Sequence, residues 1–330
     1  MSTSETYSLA MGTEVCCRIL GIDPSAMLDK AGLQHLTHRG NELRVTAAQY
    51  FDAWNAVAAL AGRPDFITHL GVNIARGPVI PVFFALSCAP NFDTGSLRLS
   101  HFKSLLGPTR MLVYRDRTGL RVEYISADVH LEVPPSLGAL HLVYLVEAVR
   151  LATSHPVSPI SAALNADEEE RRQIAGHLGV LPDYGHAASL TYSLEDAKRP
   201  FISENPRLWE DFERDLEQQL AAQRSTGSLA AQVRATLISL FPSSRANAED
   251  VCFTLGVSRS TLQRGLRREA TSFQTILDET RQELALRYLT KSTLAVGEIA
   301  SLLGYRDANS FSRSFRRWTG RSPVDYRQVR

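Results

Sequence analysis

The sequence predicts two domains: an α+β N-terminal domain, and an all-α C-terminal domain in which two helix-turn-helix units are joined by a linker helix. Three observations support this fold class. First, 330 residues correspond to about two domains of ordinary size. Second, helical and alternating hydrophobic patterns are mixed in the N-terminal part, whereas the C-terminal part is helical throughout. Third, one helical pattern occurs twice near the C-terminus. We therefore place the domains at residues 1–224 and 225–330.

The charge of the chain is divided unevenly between these two domains. The formal net charge is +1, from 36 basic and 35 acidic residues. Residues 225–330 contain 16 Lys and Arg against 9 Asp and Glu, whereas residues 1–224 contain 20 basic and 26 acidic residues. This asymmetry indicates a basic domain that binds an anion, attached to a domain that does not.

The composition excludes several classes of protein. Apolar residues make up 44% of the chain and charged residues 22%, which is typical of a globular protein. No apolar run is long enough to span a bilayer. The N-terminal stretch contains Glu5 and Glu14 and lacks a basic leader, so we expect no signal peptide. Four scattered cysteines form neither a disulfide framework nor a zinc site, and we expect a cytoplasmic protein with reduced thiols, without metal or cofactor.

The N-terminal domain is predicted to begin with helices. Their periodicity and start signals place them at residues 9–20, 46–61, 65–74 and 94–105, with a short helix that opens at Asp23 and Pro24. In the helix over residues 46–61, Tyr50, Trp54 and Val57 share one apolar face.

The rest of this domain mixes strands and helices. Residues 110–114 and 120–125 alternate around a polar turn and predict a β-hairpin. Residues 136–153 are apolar on most sides and predict the central helix of the domain. Further predicted elements are strands at 158–163 and 188–193, a helix at 167–178 and an amphipathic helix at 206–223. The polar stretch 224–228 breaks that helix, and another helix follows from 229 to 240, ended by residues 241–244.

The most informative feature of the sequence is the repeat in the C-terminal domain. Residues 249–268 match residues 297–317, with Gly256 and Gly304 48 positions apart. After one extra residue in the second turn, Leu262 and Phe311 are 49 positions apart. The chain therefore contains two copies of one small helical unit, at about residues 248–269 and 296–319.

Each copy has the pattern of a helix-turn-helix unit. A short helix ends at a glycine, which adopts the left-handed conformation that closes a helix. A short turn follows, and Ser258 or Asp307 caps the next helix. That helix buries an apolar pair at positions i and i+4, so its other face is polar and basic.

The polar face predicts contacts with DNA, because Gln and Asn side chains pair with adenine and Arg pairs with guanine or with phosphate. The alternative is a helical hairpin whose basic face is merely solvated, and the occurrence of two matching copies disfavours it. The candidate DNA-contacting residues are Ser258, Arg259, Ser260, Thr261, Gln263, Arg264, Arg267 and Arg268 in the first unit, and Asp307, Asn309, Ser310, Ser312, Arg313, Arg316 and Arg317 in the second.

The segment between the two units predicts a rigid spacer. Residues 273–289 read as a continuous helix, which at 1.5 Å per residue spans roughly 25 Å. A connector of that length could place two recognition helices in successive major grooves, about 34 Å apart.

Residues 229–330 resemble the DNA-binding domain of the AraC/XylS family of bacterial transcription regulators. The residues that carry the resemblance are Leu255 to Ser258, Leu262 to Arg264, Phe273, Arg281, Ile299, Ala300, Leu303 to Tyr305, Ser310 to Gly320 and Ser322 to Arg327. The resemblance implies double-stranded DNA as partner, contact with RNA polymerase and a nucleoid-associated, cytoplasmic protein. Three positions depart from the family pattern: Cys252, Gly265 inside the first recognition helix, and Ala270, where a helix-ending Gly is usual.

The resemblance also implies roles for individual residues. Positions matching Ser260, Gln263 and Arg264, and in the second unit Asn309, Ser310 and Arg313, approach base edges. Positions matching Arg268, Arg316 and Arg317 meet phosphates or remain at the surface.

The segment from Gly21 to Pro24, a helix over residues 43–61 and the mixed α/β order characterise the N-terminal domain. In these features it resembles the effector-binding and dimerisation domain of one branch of this family, which spans roughly 200 residues and is typified by ornithine-utilisation and mycobacterial virulence regulators. Because the chain starts with helices, a cupin-like sensor is not expected. No catalytic motif is visible, and the single histidine of the central helix, His141, is expected to be a satisfied core residue. Candidate effector-binding residues are Phe83, Phe84, Tyr114 and Tyr144, with Arg76 or Arg150 available for a carboxylate.

We therefore expect a homodimeric transcription regulator, an activator controlled by a small-molecule effector. Two alternatives remain. One is a regulator that is controlled by a protein partner and needs no small ligand. The other is an enzyme that a C-terminal domain targets to DNA.

Overall fold

The computed structural model describes residues 6–36, 43–77, 80–225, 228–241, 245–291 and 294–328. The chain divides into two compact units, one formed by residues 6–223 and the other containing residues 224–330. The predicted break at 224–228 and the predicted helix stop at 241–244 lie partly outside the described residues, which leave out 226–227 and 242–244.

The N-terminal unit is built from helices around one sheet. A π-helical turn, Ala10–Glu14, leads directly into the first α-helix, and a 3₁₀ turn, Lys103–Leu106, follows the sixth. The helices are α1 (Val15–Leu20), α2 (Pro24–Lys30), α3 (Ala47–Leu60), α4 (Phe66–Arg76), α5 (Pro81–Ser87), α6 (Phe92–Phe102), α7 (Pro135–Thr153), α8 (Glu168–Leu178), α9 (Leu194–Ala197) and α10 (Pro206–Ser225).

The strands form a small pair and a five-stranded sheet. They are β1 (Tyr7–Ser8), β2 (Arg44–Val45), β3 (Thr109–Arg115), β4 (Leu120–Ser126), β5 (Ser161–Leu164), β6 (Asp183–Tyr184) and β7 (Ala188–Tyr192). β1 pairs with β2, and the larger sheet has the order β3-β4-β7-β5-β6, antiparallel except for the parallel pair β5–β6. In the β3–β4 turn, the Asp116 carboxylate accepts hydrogen bonds from the backbone N–H groups of Thr118 and Gly119, which fixes the hairpin register.

The long helix α7 is the centre of this unit. It packs against α4, α8 and the sheet strand β7. It is long and apolar enough to cross a membrane by length and composition, yet 72% of its most apolar window is buried within the protein, as expected for a core helix. Gly71 of α4 allows the closest approach, since a Cβ there would lie 2.4 Å from Val143 Cγ1.

Most predicted elements of this unit are confirmed. Thr46 and Gln49 form a reciprocal capping box that starts α3, and Asp23 caps α2. The predicted hairpin and the central helix are also present. The strand predicted at 158–163 is shifted to Ser161–Leu164. The sequence did not predict α5, α9, β6 or the β1–β2 pair, all of which are short elements of two to seven residues.

The C-terminal unit is helical in all the residues that the structure describes. Its helices are α11 (Leu229–Leu240), α12 (Ala248–Leu255), α13 (Arg259–Arg268), α14 (Phe273–Lys291), α15 (Val296–Leu302), α16 (Ala308–Thr319) and α17 (Pro323–Gln328). The predicted linker helix, residues 273–289, is α14. It packs against α11 and against α15, α16 and α17, so it joins α11 to the second helix-turn-helix unit.

Two arginines connect α14 with other elements of the C-terminal unit. Arg234 of α11 forms ion pairs with Glu283 at 2.7 Å and Glu279 at 3.0 Å. Arg281 donates from Nε to the Leu303 carbonyl at 3.0 Å, and its guanidinium lies 4.4 Å from the Tyr305 ring centroid. Together, these contacts join α14 to the first helix of the unit and to the turn of the second helix-turn-helix.

We predict that Gly71→Ala lowers the free energy of unfolding of the N-terminal unit by about 1–3 kcal/mol, because the added methyl group overpacks the α4–α7 contact. The matched control is Gly176→Ala in α8, where a Cβ would meet no atom within 4 Å. Gly176→Ala should raise stability by about 0.5–1 kcal/mol through helix propensity. Urea unfolding of the full chain measures both variants. Equal effects of the two substitutions would contradict the predicted close packing.

Candidate nucleic-acid interface and effector cavity

The first helix-turn-helix consists of α12, a tight turn and α13. Asn247 caps α12 by accepting hydrogen bonds from the backbone N–H groups of Glu249 and Asp250. Gly256 closes α12 at φ +65°, and Ser258 caps α13 by accepting from the Thr261 N–H at 3.1 Å. These caps fix where α13 begins, as predicted.

Helix α13 buries one side and exposes the other. Leu262 and Leu266 are each 1% exposed. The predicted DNA-contacting residues of this unit are all exposed: Ser258, Arg259, Ser260, Thr261, Gln263, Arg264, Arg267 and Arg268. The Ser258 hydroxyl is also hydrogen-bonded to the hydroxyls of Ser260 and Thr261, so these three short side chains form one polar group at the start of the helix.

The departures from the family pattern have structural counterparts here. A Cβ at Gly265 would lie 2.3 Å from Leu229 Cδ2, so the missing side chain makes room for Leu229 of α11. Glu269, which ends α13, accepts hydrogen bonds from the backbone N–H groups of Leu229 and Ala230 at the start of α11. Ala270 adopts φ +55°, the left-handed conformation that favours glycine. The first unit is therefore built around a close contact between α11 and α13.

The second helix-turn-helix repeats the arrangement with α15 and α16. Gly304 in the turn has φ +69°. The Asp307 carboxylate caps α16 by accepting from the Ser310 N–H at 2.7 Å and from the Ser310 hydroxyl at 2.8 Å. The backbone hydrogen bond from Ser310 lowers the pKa of Asp307, so the cap is ionised at neutral pH. Arg313 in turn donates to Ser310 Oγ at 3.2 Å, and the three side chains form a chain along the exposed face.

The apolar side of α16 is anchored in aromatic packing. Phe311 and Phe315 are fully buried. Their ring centroids lie 5.7 Å apart, and Tyr305 and Tyr326 pack against them at 5.6 Å and 5.5 Å. This packing sets the rotation of α16 and therefore the residues that it exposes.

The predicted residues of α16 fall into two groups. Asp307, Asn309, Arg313, Arg316 and Arg317 are exposed, whereas Ser310 and Ser312 are half-buried. The Ser312 hydroxyl donates to the Ala308 carbonyl, which leaves it a weaker candidate for base contact. Arg317 lies 3.4 Å from Asp278 of α14, so part of its charge is already balanced within the protein.

The N-terminal unit contains an apolar cavity of about 70 Å³. The cavity lies among α1, α3, α7 and the turn after α6. It is lined by Gly12, Val15, Cys16, Tyr50, Trp54, Ile74, Ile80, Phe83, Leu99, Lys103, Leu106, Tyr124, Leu137, Leu140, His141 and Tyr144.

Two polar residues stand out in this apolar lining, and neither was predicted as part of the site. Lys103 is 4% exposed, and its Nζ donates to Thr109 Oγ1 at 2.8 Å and lies 3.4 Å from His141 Nε2. Burial, with a smaller contribution from the charge of Arg110, lowers the pKa of Lys103 to about 7. His141 stacks on Tyr124, and its Nδ1 has no hydrogen-bond partner. The expectation of a satisfied core histidine is therefore wrong. Burial holds the pKa of His141 well below its usual range.

A second cavity, of about 300 Å³, lies beside the first. The two share Ile74, Ile80, Phe83 and Tyr144. The Phe83 and Tyr144 rings stack with their centroids 4.2 Å apart, and this stacked pair contributes to the walls of both cavities.

The predicted effector-binding residues are only partly brought together. Phe83 and Tyr144 line both cavities, and Phe84 and Arg76 line the second one. Arg76 is paired with the buried carboxylate of Glu147, at 2.7 Å from Nε to Oε1. Tyr114 lies half-buried on β3 and lines neither cavity.

Arg150 also lies outside both cavities, which corrects the prediction that it is available for a carboxylate. Its guanidinium donates to the backbone carbonyls of Val157, His177 and Leu178 and to Ser158 Oγ. The donors of Arg150 thus serve to hold the end of α8 and the loop before β5.

Among the residues that the structure describes, no three His, Cys, Asp or Glu side chains gather as a metal-ion site would require. The four cysteines are free thiols, all buried.

Two family models match the chain, one in each unit. The helix-turn-helix domain family matches residues 251–329. The family described as the N-terminal arabinose-binding domain of AraC transcription regulators matches residues 21–201, more than half of the chain.

Individual relatives are transcription regulators. The chain is 37% identical over 140 residues to the ornithine utilization regulator of Pseudomonas aeruginosa, an alignment that covers 42% of this chain and 41% of that protein. It is 25% identical over 323 residues to the transcriptional regulator VirS of Mycobacterium tuberculosis, covering 94% of this chain and 92% of that protein.

Among solved structures, the transcriptional regulator CdpR of Pseudomonas aeruginosa aligns with 93% of this chain and 98% of its own, at 21% identity and a TM-score of 0.36. The family assignment does not depend on this alignment, because the N-terminal and helix-turn-helix matches together span most of both units. The chain therefore belongs to the AraC family of transcription regulators, with an N-terminal effector-binding domain and a C-terminal helix-turn-helix domain that binds DNA.

Proposed function

We propose that α13 and α16 are the two recognition helices and that they enter adjacent major grooves of one operator. The observation that carries this proposal is the repeated geometry of the two helices. Each begins at a capped residue and buries an apolar pair at i and i+4, and each presents Gln or Asn together with Arg on its exposed face. These are the side chains that read base edges in a major groove.

The proposal assigns direct base contacts to the residues nearest the start of each helix. These are Ser260, Gln263 and Arg264 on α13, and Asn309, Ser310 and Arg313 on α16. The chain of hydrogen bonds from Asp307 through Ser310 to Arg313 restricts the Arg313 side chain before DNA binds. Such restriction reduces the entropy cost of a specific contact.

Phosphate contacts are assigned to arginines further along the helices. Arg267, Arg268, Arg316 and Arg317 are exposed near the ends of α13 and α16, where positive charge also suits the helix dipole. Arg259 and Thr261, in the first turn of α13 beside the cap, are also assigned to phosphate contacts. Phosphate contacts raise affinity for DNA of any sequence.

The spacing of the two recognition helices is set by α14. Its 19 residues correspond to about 28 Å of helix, close to the roughly 34 Å that separates successive major grooves on one side of the duplex. Because α14 packs against α11 and against the helices of the second helix-turn-helix unit, it is a rigid part of the domain and not a flexible linker.

The N-terminal domain is proposed to control this DNA binding as a homodimer in the cytoplasm. A small effector in the apolar cavity would favour the dimer geometry that fits the operator, which is a shift between existing states. The bound protein would then contact RNA polymerase and activate transcription, without catalysing a reaction.

The cavity favours a small-molecule effector over the alternative of control by a protein partner, since it offers enclosed apolar volume beside a buried cation. Thermal unfolding of the chain in the presence of a metabolite collection separates these two possibilities. A regulator that responds only to a protein partner gains no stability from any small compound.

We predict that Arg313→Ala weakens binding to the operator by about 1–3 kcal/mol and relaxes the base preference at one position. The operator is obtained first, by selecting bound duplexes from a random pool with the full-length protein. Gel-shift titration of the variant on the selected operator and on its single-base variants measures the change. Arg214→Ala in the N-terminal unit, where the arginine is also exposed, is the control, and it should bind like the wild type. Unchanged affinity and base preference in Arg313→Ala would remove α16 from base recognition.

Arg317→Ala is predicted to behave differently from Arg313→Ala. It should weaken binding to all duplexes alike and reduce the salt dependence of binding by up to one counterion, since the lost contact is with a phosphate. The ion pair with Asp278 makes the loss smaller than for an unpaired arginine. Binding constants at several salt concentrations, on operator and random DNA, give the slope. A loss confined to the operator would count against the phosphate contact.

A further inference from the structure

Lys103 is a buried cation whose surroundings do not balance its charge. It is 4% exposed and lies in the 3₁₀ turn between α6 and β3. Its described hydrogen-bond partners are the Thr109 hydroxyl and one histidine nitrogen, both neutral. The nearby charge that acts on it is that of Arg110, which is also positive. Among the described residues, no carboxylate forms an ion pair with Lys103.

A buried ammonium group without a counter-charge is costly, and proteins ordinarily pair or hydrogen-bond such groups. An ammonium group has three N–H donors, and two described acceptors lie within reach of Lys103 Nζ. The described part of the chain offers no third acceptor, and the Tyr124 ring centroid lies 5.8 Å from Lys103 Nζ, so one donor is available to a ligand.

His141 supplies a second unsatisfied group in the lining of the same cavity. When its Nε2 accepts from Lys103, the neutral ring carries its proton on Nδ1. That Nδ1 is buried and has no hydrogen-bond partner among the described residues. Lys103 and His141 therefore each have one donor for which the described part of the chain offers no acceptor.

The rest of the lining determines what else the ligand must offer. It consists of aliphatic and aromatic side chains, and its remaining polar groups are largely engaged: the Tyr50 hydroxyl donates to the Leu106 carbonyl, and Trp54 Nε1 donates to Ser136 Oγ. A ligand that fits this site has an apolar body and one acidic end.

We propose that the cavity binds a small monocarboxylic acid with an aliphatic or aromatic body, whose carboxylate pairs with Lys103. This inference rests on the proposed effector-binding function and adds the chemical class of the effector. The two arginines that the sequence offered for such a role are engaged elsewhere, Arg76 with Glu147 and Arg150 with backbone carbonyls. Burial lowers the pKa of Lys103 in the empty cavity, and a bound carboxylate would favour its protonated form.

The first test needs no ligand. Lys103→Met keeps the length of the side chain and removes the unpaired charge, so the thermal unfolding midpoint of the N-terminal unit should rise by about 2 °C or more. Lys198→Met, at an exposed lysine, is the matched control and should leave the midpoint unchanged. If Lys103→Met lowers the midpoint, Lys103 stabilises the fold through Thr109 and His141, and the inference is wrong.

The second test uses paired probes on the full chain. 3-Phenylpropanoate and octanoate are titrated by calorimetry beside 3-phenylpropanamide and octanamide, which have the same shape without the charge. We expect at least one acid to bind roughly 10- to 100-fold more tightly than its amide, the effect of a hydrogen-bonded charge. Lys103→Met should abolish that preference, while Lys198→Met should retain it. Lys103→Gln provides the same comparison if the methionine variant does not fold.

The outcomes separate this inference from the proposed function. If the amides bind as tightly as the acids, or if Lys103→Met retains the preference, the cavity is an effector site of a different chemistry and the inference fails alone. Absence of binding by all four probes also overturns it. Failure of the proposed function would instead appear in the Arg313→Ala titration, which involves no ligand.

Discussion

Burial of one apolar pair in each recognition helix is the constraint on which the DNA-binding domain depends. Leu262 with Leu266, and Phe311 with Phe315, fix the rotation of α13 and α16 about their axes. Because residues at i and i+4 lie on one side of a helix, burial of the pair turns the opposite side of each helix outwards. The polar and basic residues on that opposite side are therefore exposed as a consequence of core packing, whatever the DNA sequence that they bind.

The two helix-turn-helix units bury their apolar pairs through different contacts. In the second helix-turn-helix unit, the rings of Tyr305 and Tyr326 pack against the pair, and Arg281 of α14 donates a hydrogen bond to the Leu303 carbonyl. The first unit has smaller apolar residues and brings α11 closer instead, with Leu229 filling the space above Gly265. A basic side chain at position 265 would add charge to the recognition helix, yet it would collide with Leu229. The packing of α11 on α13 therefore explains the glycine at position 265. This contact cannot be predicted from the sequence of α13 alone.

The elements that could be predicted from the sequence are those that depend on neighbouring residues or that occur twice in the chain. The Asp116 turn, the Thr46 capping box and the two glycine-closed turns all depend on residues a few positions apart, and each was predictable. The cavity was not, because its lining comes from helices separated by up to about 130 positions. Arg150 shows the limit most clearly. It was expected to be available for a ligand carboxylate, but its donors bond to backbone carbonyls up to 28 positions away. Lys103 could have been noticed as a lysine placed between Phe102 and Leu105, in a segment that is otherwise buried.

A buried cation also offers a physical basis for control by a ligand. The empty cavity carries the desolvation cost of Lys103, and a carboxylate that enters it offsets part of that cost while gaining burial of its apolar body. A ligand shifts a conformational equilibrium only by the difference in its affinity for the two states. A conformation of the N-terminal domain that encloses Lys103 binds an acid more tightly than one that opens the site to water, because the charge pair is stronger in the drier environment. The same lysine would then make the enclosed state costly without ligand and favourable with it, which is the property that an effector-controlled regulator requires.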